Sequence, residues 1–182
     1  MAPQRIVILR HGEKPGDPGA PDVPASPNLS PDGVARARML ETLIPAKFGE
    51  PDFLFAAASS NNSHRPVETV EPLAIKLGLG SNRFIQTIEN KDYGWLAQNL
   101  LAKPTYSEKL IVVCWHHGNI PALGQALGLK QSDYAFLPEM NGHANPQGNG
   151  NKWNAAEFNK FWILDYAAAG GVRFQSVDQQ PR

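Results

Sequence analysis

Two arginines and two histidines carry most of the chemistry that this 182-residue chain offers. Arg10 and His11 follow directly on an apolar run at residues 6–9. Arg65 comes just after a polar stretch, 59–63, and His116 comes just after a second apolar run, 110–114. The planar fork of arginine matches the oxygens of a phosphoryl group. A neutral imidazole inside such a clamp can attack phosphorus. A second histidine, when cationic, can stabilise charge that grows on the equatorial oxygens. A phosphoryl receptor with a histidine nucleophile is therefore the reading that uses all four residues.

Other chemistries fit less well. His116 and His117 are adjacent, which is not the i, i+4 spacing of a helical zinc motif. On extended chain their side chains point to opposite faces, so only one is expected to face a site. No cysteine pair or dense carboxylate cluster supports a metal. Ser59 and Ser60 lack the G-x-S-x-G elbow of a serine hydrolase, and no glycine-rich nucleotide loop is present. His64 and His143 read as ordinary polar loop residues, although His143 lies in a glycine- and asparagine-rich stretch that could close over a pocket.

The elements that must position these residues alternate along the chain. Residues 5–9 read as a buried strand. Residues 12–29, rich in proline and glycine, cannot continue a regular element. Ser30, Pro31 and Asp32 then have the pattern of a helix start. Ala37, Leu40, Leu43 and Ile44 give that helix an apolar stripe, and Pro45 is expected to end it. Residues 53–57 form a second strand, and a helix is expected over 64–77, kinked or cut short at Pro72. Residues 84–85 suggest an edge strand and 93–102 a helix. The third strong strand is 110–114, followed by a helix from Asn119 to Leu127 capped by Gly128. Residues 138–154 read as an irregular flap. Strands at 158–165 and 172–176 pair as a hairpin through 168–171, and the end from Val177 reads as frayed. Alternation of this kind predicts a layered α/β domain. If the strands before His11 and His116 are parallel neighbours, both histidines lie at one sheet edge, where pockets of such folds open.

The bulk numbers agree with one globular domain over residues 1–182, with 42% apolar residues. Lys plus Arg and Asp plus Glu are 17 each, so the net charge is zero. Neutrality argues against a nucleic-acid partner. A single cysteine, Cys114, makes no internal disulfide. There is no signal-peptide pattern and no membrane span. The expected protein is cytoplasmic, without a membrane partner and without a cofactor.

Four ordered segments resemble the histidine phosphatase superfamily, the phosphoglycerate-mutase-like proteins. Arg10-His11-Gly12-Glu13 resembles the Arg-His-Gly signature. Leu29-Ser30-Pro31-Asp32-Gly33 resembles the family's Leu-Ser-x-x-Gly helix start. Ser60 to Arg65 with Thr69 and Pro72 resembles the second-arginine segment, and Val112 to Ile120 resembles the late-histidine segment. The resemblance implies a three-layer α/β sandwich with a mostly parallel sheet, and a phosphohistidine formed on His11. It also implies that Arg10, Arg65 and His116 hold the phosphoryl group. The partner would be a small phosphorylated molecule or a phosphoprotein.

The leaving oxygen needs a proton, and here the chain departs from the family pattern. The position four before Gly94 is Asn90, which cannot be a general acid. Glu89, one residue earlier, and Glu13 are the leading candidates, followed by Asp17, Asp92 and Glu139. A good leaving group would lower the need for any acid. Asp17 would repel phosphate unless it pairs with Lys14 or an arginine. The short chain leaves little room for the insertions of sugar-phosphate mutases, so a phosphatase is favoured over a mutase. A non-catalytic phospho-ligand binding module is the rival from another class.

Overall fold

A computed structural model describes residues 2–17, 26–141, 152–167 and 170–180. Four apolar runs assemble into the parallel part of one mixed sheet. β1 (Arg5–Arg10) and β4 (Leu110–Trp115) pair in parallel, and so do β4 with β2 (Phe53–Ala57) and β2 with β3 (Phe84–Ile88). β7 (Lys160–Tyr166) joins β1 antiparallel, and β8 (Val172–Asp178) joins β7, giving the order β3-β2-β4-β1-β7-β8.

Side chains along the central strands alternate between two cores, as the pleat requires. Val7, Leu9, Leu54, Val112 and Cys114 pack with α1 (Pro31–Phe48) and α2 (Arg65–Lys76) on one face. Ile6, Ile8, Phe55, Ile111, Val113 and Trp115 pack on the other with α3 (Tyr93–Ala102) and α4 (Ile120–Ala126). With both faces covered, the central strands are continuously apolar rather than amphipathic. The chain therefore leaves β1 toward one face and β4 toward the other. The carboxyl ends of these two neighbours bound a crevice at a topological switch point.

Several expectations need correction. α1 runs past Pro45 to Phe48. Proline removes only one hydrogen bond there, and the extra turn lets Phe48 pack edge-to-face on Phe161, with centroids 5.1 Å apart. α2 passes through Pro72 because Leu73 and Ala74, just beyond it, are buried. The end of the chain is not frayed from Val177. β8 continues to Asp178, and the Gln179 backbone N–H donates to the Asn159 carbonyl at 2.8 Å. The 138–154 segment begins and ends as a small hairpin of β5 (Met140–Asn141) and β6 (Lys152–Trp153). Its middle, including His143, lies outside the described residues, as do residues 168–169. Among the described residues no helix is long and apolar enough to cross a membrane.

Candidate active site

β1 and β4 end in register, with Arg10 opposite Trp115. The next residues, His11 and His116, therefore meet, with ring centroids 5.1 Å apart. The His11 backbone N–H donates to the Trp115 carbonyl at 3.2 Å and continues the ladder one step into the loop.

Two glycines let this loop sit against α1. A Cβ on Gly12 would lie 3.0 Å from the Gly33 carbonyl oxygen, and one on Gly33 would lie 2.4 Å from the Glu13 carbonyl oxygen. Backbone meets backbone at this contact, so neither position has room for a side chain. Ser30 caps α1 by accepting from the Gly33 N–H at 3.2 Å, while its own N–H donates to the Glu13 carbonyl at 2.9 Å. Thr69 ties the loop to α2. Its Oγ1 accepts from the Gly12 N–H at 2.8 Å and donates to the Arg65 carbonyl at 2.7 Å.

His11 is 2% exposed. Its Nδ1 lies 2.7 Å from the Gly12 carbonyl oxygen. A carbonyl can only accept, so Nδ1 carries the proton and Nε2 of the neutral ring holds a free lone pair. Burial drives the His11 pKa well below its ordinary value. The Gly12 carbonyl opposes this shift, and His116, Arg10 and Arg65 add to it. The ring is thus neutral at physiological pH.

Arg10 is fully buried beside it. Nη1 donates to the carbonyls of Ala155 at 2.6 Å, Glu157 at 3.1 Å and Asn154 at 3.4 Å. The guanidinium carbon lies 3.6 Å from the centre of the Phe158 ring. Nε and Nη2 are buried with no partner among the described residues. Burial lowers the Arg10 pKa to about 10, with Asp17 and Glu13 opposing, so the group stays charged. Arg65 shows the same pattern. Nη1 donates to the Ser26 and Pro27 carbonyls at 3.1 and 3.4 Å, and Nε is buried and unpartnered among the described residues. Donors left unmatched in a buried site are costly unless a ligand meets them.

Burial, then Arg65, His117 and Arg10, push His116 down to about 4. It is neutral at physiological pH, and a bound dianion would be needed to make it the cation expected from sequence. Only one of the two histidines is expected from the sequence to face the site, and His116 lines the cavity while His117 does not. The charges of Arg10, Asp17, Lys14 and Arg65 also reach His117, and burial heads the causes that bring it to about 4. β4 ends at Trp115, and a turn begins at His117.

The carboxylates separate clearly. Burial raises the Glu13 pKa, but hydrogen bonds and charge from Arg36 outweigh it, and Arg10 adds to them, so the group is held below its ordinary value. Arg36 Nε reaches both Glu13 oxygens at 3.0 Å. Asp17 is buried and accepts from the Lys14 backbone N–H at 2.8 Å, and its charge acts on Arg10 and Arg65. Glu139 is fully buried away from the clamp, accepting from Trp162 Nε1 at 2.8 Å and from the Ser176 hydroxyl. Asp92 is exposed at the start of α3. Glu89 lines a cavity of about 710 Å³ that also takes in residues 59–63, Arg65, residues 90–91 and His116. Asn90 is structural: its carbonyl accepts from Trp115 Nε1 at 3.2 Å and from Asn119 Nδ2 at 3.0 Å.

Sequence reasoning missed Phe158, the carbonyl bracket at 154–157 and the Glu13–Arg36 pair. None has a local signal, because each partner is distant in the chain.

No family model matches the chain, and no curated protein matches it. Solved structures do. An Agrobacterium tumefaciens protein assigned as the phosphohistidine phosphatase SixA covers 98% of this chain and 97% of its own length, at 17% identity and a TM-score of 0.55. A phosphoserine phosphatase from Entamoeba histolytica, bound to 3-phosphoglyceric acid, covers 96% of both chains at 14% identity and a TM-score of 0.51. A protein histidine phosphatase SixA complexed with tungstate covers 96% of this chain and 97% of its own, at 14% identity and a TM-score of 0.50. The chain thus has the phosphoglycerate-mutase-like fold of the histidine phosphatase superfamily.

Proposed function

We propose that this chain is a metal-independent phosphomonoester hydrolase that works through a phosphohistidine on His11. The unpartnered donor edge of buried Arg10, beside a His11 ring whose Nδ1 is held by a carbonyl, carries the reading. Nε2 of His11 attacks phosphorus in line, the P–N bond forms and the P–O bond to the alcohol breaks. Arg10, Arg65 and His116 hold the three equatorial oxygens and supply the charge that a metal supplies elsewhere. Glu89 gives the alcohol its proton: it shares a cavity with Arg65 and His116, and its pair with Lys91 at 2.9 Å is exposed and readily exchanged, whereas Arg36 holds the more buried Glu13 ionised. Water then attacks phosphorus, Glu89 takes up a proton, the P–N bond breaks and phosphate leaves. The proposed partner is a small phosphorylated molecule, in keeping with the names of the structural neighbours.

Turnover of an aryl phosphate in the presence of a chelator, with acid-labile label trapped on the protein during turnover, tests this. His11→Ala should lower kcat by about 10⁴-fold or more and abolish trapping, since removing a nucleophile leaves only binding and electrostatic terms. Near-normal turnover by His11→Ala, or complete loss of activity with chelator, would overturn the mechanism. Stable label without phosphate release would favour a phosphotransferase.

A further inference from the structure

Glu139 is a fully buried carboxylate that the proposed reaction does not use. It stands at the root of the β5–β6 hairpin and reaches back onto the sheet. Oε1 accepts from Trp162 Nε1 at 2.8 Å and from the Ser176 hydroxyl, and Trp162 and Ser176 are paired across β7 and β8. Oε2 has no hydrogen-bond partner among the described residues, and Lys160 Nζ lies 4.0 Å from it while pairing with Asp178 at 2.6 Å. A carboxylate in such a place costs more than an apolar side chain of the same size. Packing alone therefore does not account for it.

What Glu139 fixes leads to Arg10. Arg10 Nη1 is aimed by the carbonyls of Asn154, Ala155 and Glu157, which belong to one turn. Inside that turn the Glu157 N–H donates to the Asn154 carbonyl at 3.0 Å, and the Ala156 N–H donates to Asn154 Oδ1 at 2.9 Å. The turn is thus one unit, and its position sets the direction of the guanidinium. Two routes tie this unit to Glu139. The Asn154 N–H donates to the Glu139 carbonyl at 2.7 Å. Trp153 Nε1 donates to the Glu157 carbonyl at 2.9 Å, and the Trp153 ring lies 5.3 Å from that of Trp162, whose N–H the Glu139 carboxylate holds. Tyr134 and Phe174 lie against the same Trp162 ring, with centroids at 5.1 and 5.2 Å. In so close-packed a cluster a tilt of the Trp162 indole is passed to Trp153 rather than absorbed.

We infer that Glu139 is a positioning residue: through its backbone carbonyl and the Trp162–Trp153 pair it holds the 154–157 carbonyls around Arg10 Nη1, and so aims Nε and Nη2 at the phosphoryl group. The inference rests on the proposed hydrolase reading and adds to it a residue that touches neither substrate nor reacting atoms. A small shift of the carbonyl turn would swing the free edge of Arg10 off the phosphoryl oxygens, and misplacement of that kind is costly to a reaction that depends on orientation.

A double-mutant cycle on the full chain tests this, with an aryl phosphate as substrate and at a temperature where circular dichroism shows every variant folded. Glu139→Leu should lower kcat about tenfold or more while KM changes less than about threefold. Glu139→Gln, which keeps an oxygen acceptor for Trp162 and Ser176, should restore most of the rate. In the Arg10→Gln background Glu139→Leu should cost less than about threefold, because no guanidinium is left to aim. Where Glu139→Leu does not fold, Trp153→Phe carries the same cycle with the same expected losses, since it removes the N–H to Glu157 and keeps a ring. Losses as large in the Arg10→Gln background as in the unaltered chain, or a fall in stability with kcat unchanged, would overturn the inference and leave the hydrolase standing. Arg10→Gln with unaltered turnover, or no turnover by the unaltered chain, would overturn both.

Discussion

Two guanidinium groups approach the same phenyl ring, and among the described residues only one of them is hydrogen-bonded to a carboxylate. Arg10 lies 3.6 Å from the centre of Phe158 and Arg36 lies 6.0 Å from it. Arg36 commits Nε and Nη2 to Glu13 and Nη1 to Gln179. Arg10 commits only Nη1, to three backbone carbonyls. Carbonyl oxygens satisfy donors without cancelling charge, whereas a carboxylate does both. The difference separates an arginine that holds the fold from one that keeps its charge and a free edge for a ligand. Tying up Glu13 also removes the carboxylate nearest in sequence to His11, so it does not compete with an incoming anion for the Arg10 edge.

The sharpest way to break this comparison is to remove each guanidinium in turn. Arg10→Gln should lower kcat by about 10²–10³-fold, the usual effect of losing a donor to developing charge. Its thermal stability should fall less than that of Arg36→Gln, because among the described residues no carboxylate is hydrogen-bonded to Arg10 and none is left unmatched. Arg36→Gln should do the reverse. It should cost about 1–3 kcal/mol of stability by leaving Glu13 unmatched, with kcat/KM close to the unaltered value. Urea unfolding and steady-state kinetics on both variants read the two effects separately. Equal catalytic losses would mean that Arg36, too, acts on the phosphoryl group.

The contrast also explains what the sequence could reveal. Apolar runs ending in Arg10-His11 and in His116 marked two strand ends, since a strand's apolar pattern is local, whereas their pairing as parallel neighbours joins segments about 105 residues apart and comes from the fold. Gly12 and Gly33 carried a signal as well, because two backbones that touch exclude every other residue. The state of each charge was not legible. Arg36 is 23 residues from Glu13, and the bracket on Arg10 comes from backbone about 145 residues away. Backbone carbonyls look the same at every position, so no residue type marks them. Pro45 and Pro72 misled for a related reason: tertiary packing beyond each proline, at Phe48 and at Leu73, outweighs one lost helical hydrogen bond.

Phe158 offers a milder perturbation of the same comparison. It is buried, and it closes the Arg10 side of the clamp together with the 154–157 carbonyls. Phe158→Leu keeps apolar volume but removes the ring face, so Arg10 should lose part of its orientation. The expected result is about a tenfold fall in kcat/KM, in line with a cation–π contact in a desolvated site. The loss should appear in kcat more than in KM if the contact positions Arg10 for the transition state. Phe158→Tyr should restore most of it. A Leu variant that loses stability and keeps its kinetics would assign the ring to packing alone.

Proton linkage gives the smallest and most specific test. His116 and His117 have ordinary values of 6.5 and are held near 4 by burial and neighbouring cations. Between these values the unfolded chain binds more protons than the folded one, so folding stability must fall as pH drops from about 6.5 toward 4. Glu13 follows the same sign in a lower window. Its folded value lies below the ordinary 4.5, so the stability from its pair with Arg36 is complete above 4.5 and lost only as pH falls further. The two regions therefore weaken in sequence, the clamp first. Urea midpoints at pH 7, 5.5 and 4 should show a decline already between the first two. Replacing His116 and His117 together with Asn should shrink that first step and leave the share that comes from His11, which burial also holds well below its ordinary value, and Glu13→Gln should leave the step unchanged. Tungstate, a phosphate-like oxyanion, should shrink it as well, because an anion between the guanidiniums favours protonated His116 in the folded state. A first step as large in the double variant as in the unaltered chain would mean that neither His116 nor His117 sets it.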